Sequence, residues 1–315
     1  VNNNSEIRKH YFLDKYVVIA PGRIKRPMEI AFAKSDSSKC NFCPGHEEAN
    51  PNEILRLPKN SKGPNWQIRV IPNRYPALSP DNPKAYGYQE IVVETPKHGE
   101  SIGDFSLEHL EQLIEVYSAR TEALSNMPHI RYALVFKNNG GQAGASIVHA
   151  HSQIFALPIT PPEAAHEAIA EDQYEELSGR CVWCEIMQKE RKGPRLIAED
   201  EHMVAFAPYA SSAPYEAWIL PRRHRRALHD LNGVERHSLA LILRSIISRL
   251  EEHGIPYNYF IHNSVELEDH HLHIEIIPRS NTWGGFELGA GIVVNPVAPE
   301  TVPDFYRGSD EVAPV

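Results

Sequence analysis

Cys40-Asn-Phe-Cys43 is followed, 141 residues later, by Cys181-Val-Trp-Cys184, and what comes after the first pair recurs after the second. Downstream of Cys43 runs Tyr88-Gln-Glu-Ile-Val-Val-Glu-Thr-Pro-Lys-His98. Downstream of Cys184 runs Tyr215-Glu-Ala-Trp-Ile-Leu-Pro-Arg-Arg-His224. Each is a strand-like run closing on proline, basic residues and histidine, with a glutamate (Glu90, Glu216) eight positions before the histidine. A helical period follows each run. The first covers about 106–125, with Leu110, Leu113, Ile114, Tyr117 and Leu124 on one face. The second covers about 234–252, with Leu239, Ile242, Leu243, Ile246 and Leu250, and Gly254 and Pro256 stop it. Then come β-rich runs, Arg131–Phe136 and Tyr257–Ile261, and finally His149-Ala-His151 and His271-Leu-His273.

A recurrence of this many elements in one order predicts a duplicated chain. The expected class is α+β: two tandem halves, each an antiparallel sheet flanked by helices. The boundary is expected in the Pro/Glu/Ala-rich stretch near 158–178, giving residues 1–165 and 166–315.

The chain has 315 residues, 42% of them hydrophobic and 23% charged, which is ordinary globular composition. A net charge of −9 argues against a general nucleic-acid or membrane-surface binder. Four cysteines are too few for a disulfide scaffold. No apolar leader opens the sequence and no apolar run approaches 18 residues, so a cytoplasmic protein is expected.

Paired CxxC motifs, each with two later histidines in matched order, favour metal over redox chemistry, because zinc takes four thiolate or imidazole ligands. The sets are Cys40, Cys43, His98 and His149, and Cys181, Cys184, His224 and His271. Free buried thiols or a disulfide are the alternative, and His46 competes with His98. Among His270, His271 and His273, the choice of His271 rests on the repeat alignment alone. The remaining histidines, His262 among them, read as surface or core residues.

Side chains alternate along a strand, so His149, His151 and Gln153 of His149-Ala-His151-Ser-Gln153 are expected on one face. With His149 given to a metal, His151 remains a free imidazole able to act as a nucleophile. Just upstream lies Lys137-Asn138-Asn-Gly140-Gly-Gln-Ala-Gly144-Ala-Ser146. Its glycines let backbone N–H groups approach phosphate oxygens, and Asn138 and Ser146 add donors. The corresponding loop in the second half, Asn263–Asp269, has no glycine and three carboxylates. Such a loop repels phosphate, which places the chemistry in the first half.

At these residues the chain resembles the galactose-1-phosphate uridylyltransferase family, within the histidine-triad superfamily, over nearly its whole length. The markers are Arg23-Ile-Lys-Arg26-Pro27, the first CxxC, Asn73-Arg-Tyr-Pro-Ala-Leu78, the loop from Asn138 to Ser146, the HxHxQ strand and Gly285-Phe-Glu287. Histidine-triad hydrolases carry a third histidine where Gln153 stands, so the resemblance implies a transferase. It implies that His151 attacks the α-phosphorus of UDP-glucose and releases glucose 1-phosphate, and that galactose 1-phosphate then collects the uridylyl group, in ping-pong order. Gln153 and Ser146 would donate to phosphate oxygens, and Gly140, Gly144 and Ser152 belong to the same substrate-binding run. Arg23 and Arg26 would meet phosphates, Asn73, Arg74 and Tyr75 the nucleoside, and Phe286 and Glu287 the sugar. The resemblance further implies zinc at two sites, with iron as the alternative at the second, and a homodimer acting in galactose metabolism. Some residues depart from the uridylyl pattern: Ala150 and Ser152 in the HxHxQ strand, Arg74 for an acidic residue, and Asn281 for a lysine. Of these, Ser152-Gln153 after the second histidine, together with Gly-Gly-Phe-Glu-Leu-Gly, resembles the adenylyl branch. The alternative reading is therefore phosphorolysis of ADP-glucose or of a dinucleoside polyphosphate.

Overall fold

The structure is a computed structural model that describes residues 5–21, 40–49, 52–263 and 270–309. Its frame is one ten-stranded sheet. In chain order the strands of the first half are β3 (Leu55–Leu57), β4 (Ile68–Pro72), β5 (Tyr88–Val93), β6 (Tyr132–Asn139) and β7 (His151–Leu157). Those of the second half are β8 (Leu196–Glu199), β9 (Met203–Phe206), β10 (Ala217–Pro221), β11 (Tyr257–His262) and β12 (His273–Pro278). They lie side by side as β3-β4-β5-β7-β6-β11-β12-β10-β9-β8. Reading inward from either edge gives the same order, strand for strand, so the duplication is visible in the topology. The halves join at β6 and β11, paired antiparallel with Asn138 opposite Asn258 and Phe136 opposite Phe260.

Two long helices cover one face. The first, α1 (Leu107–Ser125), begins where Ser106 Oγ accepts from the His109 N–H at 3.2 Å. Between the halves come α2 (Pro162–Ser178) and α3 (Val182–Glu190). The second long helix, α4 (Gly233–Glu252), opens on a reciprocal capping box between Asn232 and Glu235. Leu110, Leu113, Ile114 and Tyr117 of α1 pack with Leu239, Ile242, Leu243 and Ile246 of α4, against Val92, Val135, Ile154, Ile219, Ile261 and Ile274 of the sheet. One continuous core therefore runs under both halves. A separate three-stranded sheet joins β1 (Glu6–Lys9), β2 (Tyr16–Ile19) and β13 (Val293–Asn295), and its β2–β13 pair is parallel, an exception to the antiparallel expectation. The short helices α5 (Gly285–Ala290) and α6 (Val302–Arg307) complete the fold.

Two local expectations change. The run from Lys137 to Asn139 is the end of β6, not loop, so only Gly140 to Ser146 forms the turn. And β7 starts at His151, which leaves His149 in the bend before it, because its ring is drawn toward the Thr95 carbonyl and the cysteines. The second half repeats this: His271 precedes β12. The Arg23 and Arg26 expectations and the acidic stretch 264–269 lie outside the described residues.

Candidate active site and metal centres

The glycine turn is built by its own backbone. Gly140 adopts φ +88° and Gly144 φ +85°, both in the region that favours glycine. The Ala143 and Ala145 N–H groups both donate to the Gly140 carbonyl, at 3.0 and 3.1 Å. A Cβ on Gly140 would sit 2.9 Å from Pro256 of the second half, so this position excludes side chains twice over. The turn opens onto a cavity of about 920 Å³, lined by Asn138, Gly140, Ser146, His149 and His151 of the first half and by Glu251, Ile255 and Pro256 of the second.

His151 is 8% exposed at the wall of this cavity. Its Nδ1 lies 2.8 Å from the His149 carbonyl oxygen. A carbonyl only accepts, so Nδ1 carries the proton and Nε2 keeps its lone pair. Burial is the main cause that lowers the His151 pKa below the ordinary histidine value, opposed by that carbonyl and assisted by the Lys137 charge. The neutral form of the ring is favoured, with its proton at Nδ1 and a lone pair at Nε2, the atom through which an imidazole can act as a nucleophile. Behind its strand, Lys137 forms a buried ion pair with Glu94 and reaches the His151 carbonyl at 3.4 Å. Tyr117 donates to Glu94 at 3.0 Å and contacts Tyr259 at 2.8 Å.

Gln153 shares the His151 face two residues on. The Ala77 N–H donates to Gln89 Oε1 at 2.8 Å, and Gln89 Nε2 then donates to Gln153 Oε1 at 3.1 Å. This leaves the Gln153 NH2 group for another acceptor. Gln89 was not singled out from sequence. Its only signal is register, opposite Phe155 on the neighbouring strand. Ser152 corrects the substrate-binding expectation. It is 1% exposed on the opposite face and donates to Tyr117 at 2.7 Å, as strand alternation requires.

The nucleoside and sugar candidates stand apart from the cavity. Asn73 Oδ1 accepts from the Tyr75 N–H at 2.9 Å, Arg74 lies over the Tyr75 ring, and Tyr75 is 82% exposed. Phe286 is exposed on α5, and Glu287 accepts from the Gly284 N–H at 2.8 Å as the cap of that helix. Neither group lines the cavity.

Cys40, Cys43, His98 and His149 converge with their ligand atoms all within 4.8 Å of one another. His149 Nδ1 is 3.7 Å from Cys40 Sγ and 3.5 Å from Cys43 Sγ, and His98 Nδ1 is 3.4 Å from Cys43 Sγ. Tetrahedral zinc, with Zn–S and Zn–N bonds of about 2.3 and 2.0 Å, spaces S and N ligands about 3.5 Å apart. The set fits such an ion. His149 Nε2 is 2.7 Å from the Thr95 carbonyl, so Nδ1 is left with a lone pair, the usual support of a ligating histidine. His46 instead turns its Nδ1 to the Cys40 carbonyl at 2.7 Å.

The second set repeats the pattern. His271 Nδ1 lies 3.8 and 3.5 Å from the sulfurs of Cys181 and Cys184, and His224 Nδ1 is 3.9 Å from Cys184 Sγ. His271 Nε2 faces the Pro221 carbonyl at 3.0 Å. A third group was missed from sequence. Glu167, His262, His273 and Glu275 also bring ligand-type atoms within 4.8 Å. Among them His262 Nδ1 faces Glu167 Oε2 at 3.3 Å, while His262 Nε2 and His273 Nε2 are buried without hydrogen-bond partners among the described residues. Burial pushes the Glu167 carboxyl up to about 7 and the His262 ring down to about 3. Its sequence signal was weak: the two histidines meet only through the β11–β12 register.

Residues 1–161 match the family described as the N-terminal domain of galactose-1-phosphate uridyl transferase, and residues 189–282 match the HIT domain. The ADP-glucose phosphorylase of Arabidopsis thaliana is 33% identical over 97% of this chain and 93% of its own. The galactose-1-phosphate uridylyltransferase of Thermotoga maritima is 27% identical over 94% and 95%. A crystal structure of the Arabidopsis phosphorylase with bound ADP-glucose superposes with a TM-score of 0.86, covering 98% of this chain and all of that one. A solved uridylyltransferase gives 0.76 at 26% identity, over 96% and 98%. A match across the whole chain, to relatives that transfer nucleotidyl groups, means that this chain belongs to the galactose-1-phosphate uridyl transferase family and is a nucleotidyltransferase.

Proposed function

We propose that the enzyme transfers a nucleoside monophosphate from a nucleotide sugar through a covalent adduct on His151, and that ADP-glucose is the donor and inorganic phosphate the acceptor. One observation carries the chemistry: a buried imidazole with its proton fixed at Nδ1 and its Nε2 lone pair beside a glycine turn, at the wall of a large cavity. His151 Nε2 attacks the α-phosphorus. The N–P bond forms as the bond from phosphorus to the bridging oxygen breaks, and that oxygen leaves with glucose 1-phosphate. The Nδ1–H bond to the His149 carbonyl stabilises the charged ring. An oxygen of the acceptor phosphate then attacks phosphorus, and the N–P bond breaks to restore neutral His151. The Gln153 amide and Ser146 hydroxyl would donate to the non-bridging oxygens.

The adenylyl branch is supported by the higher identity to the phosphorylase, and by the resemblance of Ser152-Gln153 and Gly284-Gly-Phe-Glu-Leu-Gly289 to that branch. UDP-glucose with galactose 1-phosphate is the second reading, supported by the uridylyltransferase relatives. Residues 1–165 would carry the chemistry and residues 166–315 would support it. Zinc in the Cys40 set would hold the CxxC loop to His149 and supply fold rather than reaction chemistry; a second ion, zinc or iron, would sit in the second half. Exposed Trp283, Phe286 and Leu288 around α5, which do not line this chain's own cavity, support a homodimer. Four cysteines grouped with histidines in metal-type sets rather than joined in disulfides support a cytoplasmic enzyme. The deciding experiment incubates the protein with ADP-glucose or UDP-glucose labelled in the nucleotide. Label retained after denaturation from the ADP compound alone is expected. Retention from UDP-glucose alone would select the second reading, and retention from neither would refute the covalent route.

A further inference from the structure

The glycine turn belongs to the first half, yet a side chain of the second half arranges its polar atoms. Asn258 of β11 faces Asn138 of β6 across the seam of the sheet. Its Nδ2 donates to Asn138 Oδ1 at 2.7 Å and to the Ala143 carbonyl at 2.8 Å. Arg279, just past β12, places a guanidinium nitrogen 3.5 Å from Asn258 Oδ1. Arginine only donates, so this contact selects the orientation of the Asn258 amide. The polarity then runs one way, from Arg279 to Asn258 to Asn138, and the Asn138 oxygen is turned to the seam with its NH2 group left on the side of the turn. A Cβ on Gly144 would stand 3.6 Å from that NH2 nitrogen.

The consequence is electrostatic. Phosphate oxygens are acceptors and negative, so a turn suits them only if it presents donors and withdraws its own oxygens. Asn138 Oδ1 and the Ala143 carbonyl are the two oxygens that Asn258 engages. We propose that Asn258, oriented by Arg279, is a positioning residue contributed by the second half, which withdraws these two oxygens and aims the Asn138 amide at the phosphates of the nucleotide. This rests on the reading of His151 as nucleophile and of the glycine turn as its phosphate cradle.

The full chain carrying Asn258→Asp, Asn258→Ala or Asn138→Ala, and the Asn258→Ala/Asn138→Ala pair, is mixed with nucleotide-labelled ADP-glucose or UDP-glucose, whichever labels the wild type. The rate of adduct formation at saturating donor is recorded beside metal content and melting temperature. Asp matches Asn in shape but presents oxygen to both acceptors, so it should be the worse variant. It is expected to slow labelling about 10²-fold, the scale of a misplaced group, with Ala slowing it about tenfold. With Asn138 already alanine, the Asn258→Ala change should cost less than about threefold, because residues acting through one another are not additive. Metal content should stay at the wild-type value. Should Asn258→Asp fail to fold, Arg279→Leu is expected to slow labelling several-fold and to add nothing to Asn258→Ala. If Asn258→Asp labels as fast as Asn258→Ala or faster, or if the pair is additive, Asn258 is a packing residue and the proposal falls. A wild type that never acquires label refutes the nucleophile reading, and this inference with it.

Discussion

His273 lies on β12 where His151 lies on β7, but its ring is stacked 4.1 Å from that of Trp183 and 4.2 Å from that of His262, and it is fully buried. Trp183 is the third residue of the second CxxC. The residue in that place in the first CxxC is Phe42, whose ring stands tilted at 60° and 5.3 Å from His151 and leaves that histidine at a cavity wall. Both histidines hold Nδ1 to a carbonyl two residues back, at 2.8 and 2.9 Å. Two equivalent imidazoles thus differ in access, and access is what a nucleophile requires.

Trp183→Ala should therefore destabilise without creating a second active histidine. Loss of a fully buried tryptophan costs about 3–5 kcal/mol. The expected result is a lower melting temperature with no more than one nucleotide bound covalently per chain by mass spectrometry. Two adducts per chain would show that stacking alone silences His273.

For His151→Ala, the adduct should vanish and turnover fall by several orders of magnitude, as for other lost nucleophiles. Metal content and melting temperature should hold, because His151 is not among the converging Cys40 set. Loss of metal together with stability would make His151 a ligand instead.

Cys40→Ser should lower the melting temperature more than the activity per folded molecule, since a structural zinc contributes folding energy directly. Elemental analysis of the native protein should find at least two tightly bound transition-metal ions per chain. A count of one or none would remove the two-centre assignment.

Gln89→Leu removes the donor that orients Gln153 and keeps the latter's own amide. Both half-reactions should slow, but by less than the roughly 10²–10³ expected for Gln153→Ala, which would delete the proposed donor to the developing charge. Equal effects would mean that Gln89 itself meets the phosphate.

Arg74→Asp tests nucleotide choice. An aspartate accepts hydrogen bonds from ribose hydroxyls, whereas arginine only donates. The ratio of kcat/KM for UDP-glucose over ADP-glucose should rise more than threefold, about 0.65 kcal/mol. A smaller change places selection elsewhere.

The sequence by itself determined the duplication, the class of fold, the two long helices and the two Cys-Cys-His-His sets, because period, cap and spacing are local or repeated signals. It also marked the glycine turn and His151. It placed Ser152 among the binding residues although strand alternation turns it to the core, and it passed over Gln89, Asn258 and the Glu167–His262–His273–Glu275 group. Those depend on register between strands far apart in the chain: Gln89 opposite Phe155, Asn258 opposite Asn138, His262 opposite His273. Pairing across a sheet is settled by hydrogen-bond ladders and core packing together, and no single segment encodes it. The unequal standing of His151 and His273 was legible in part, because a glycine-rich run precedes the first and an acidic run the second. What only packing decides is the enclosure: Trp183 stacks on His273 and buries it, whereas Phe42 stands tilted beside His151 and leaves that ring at a cavity wall.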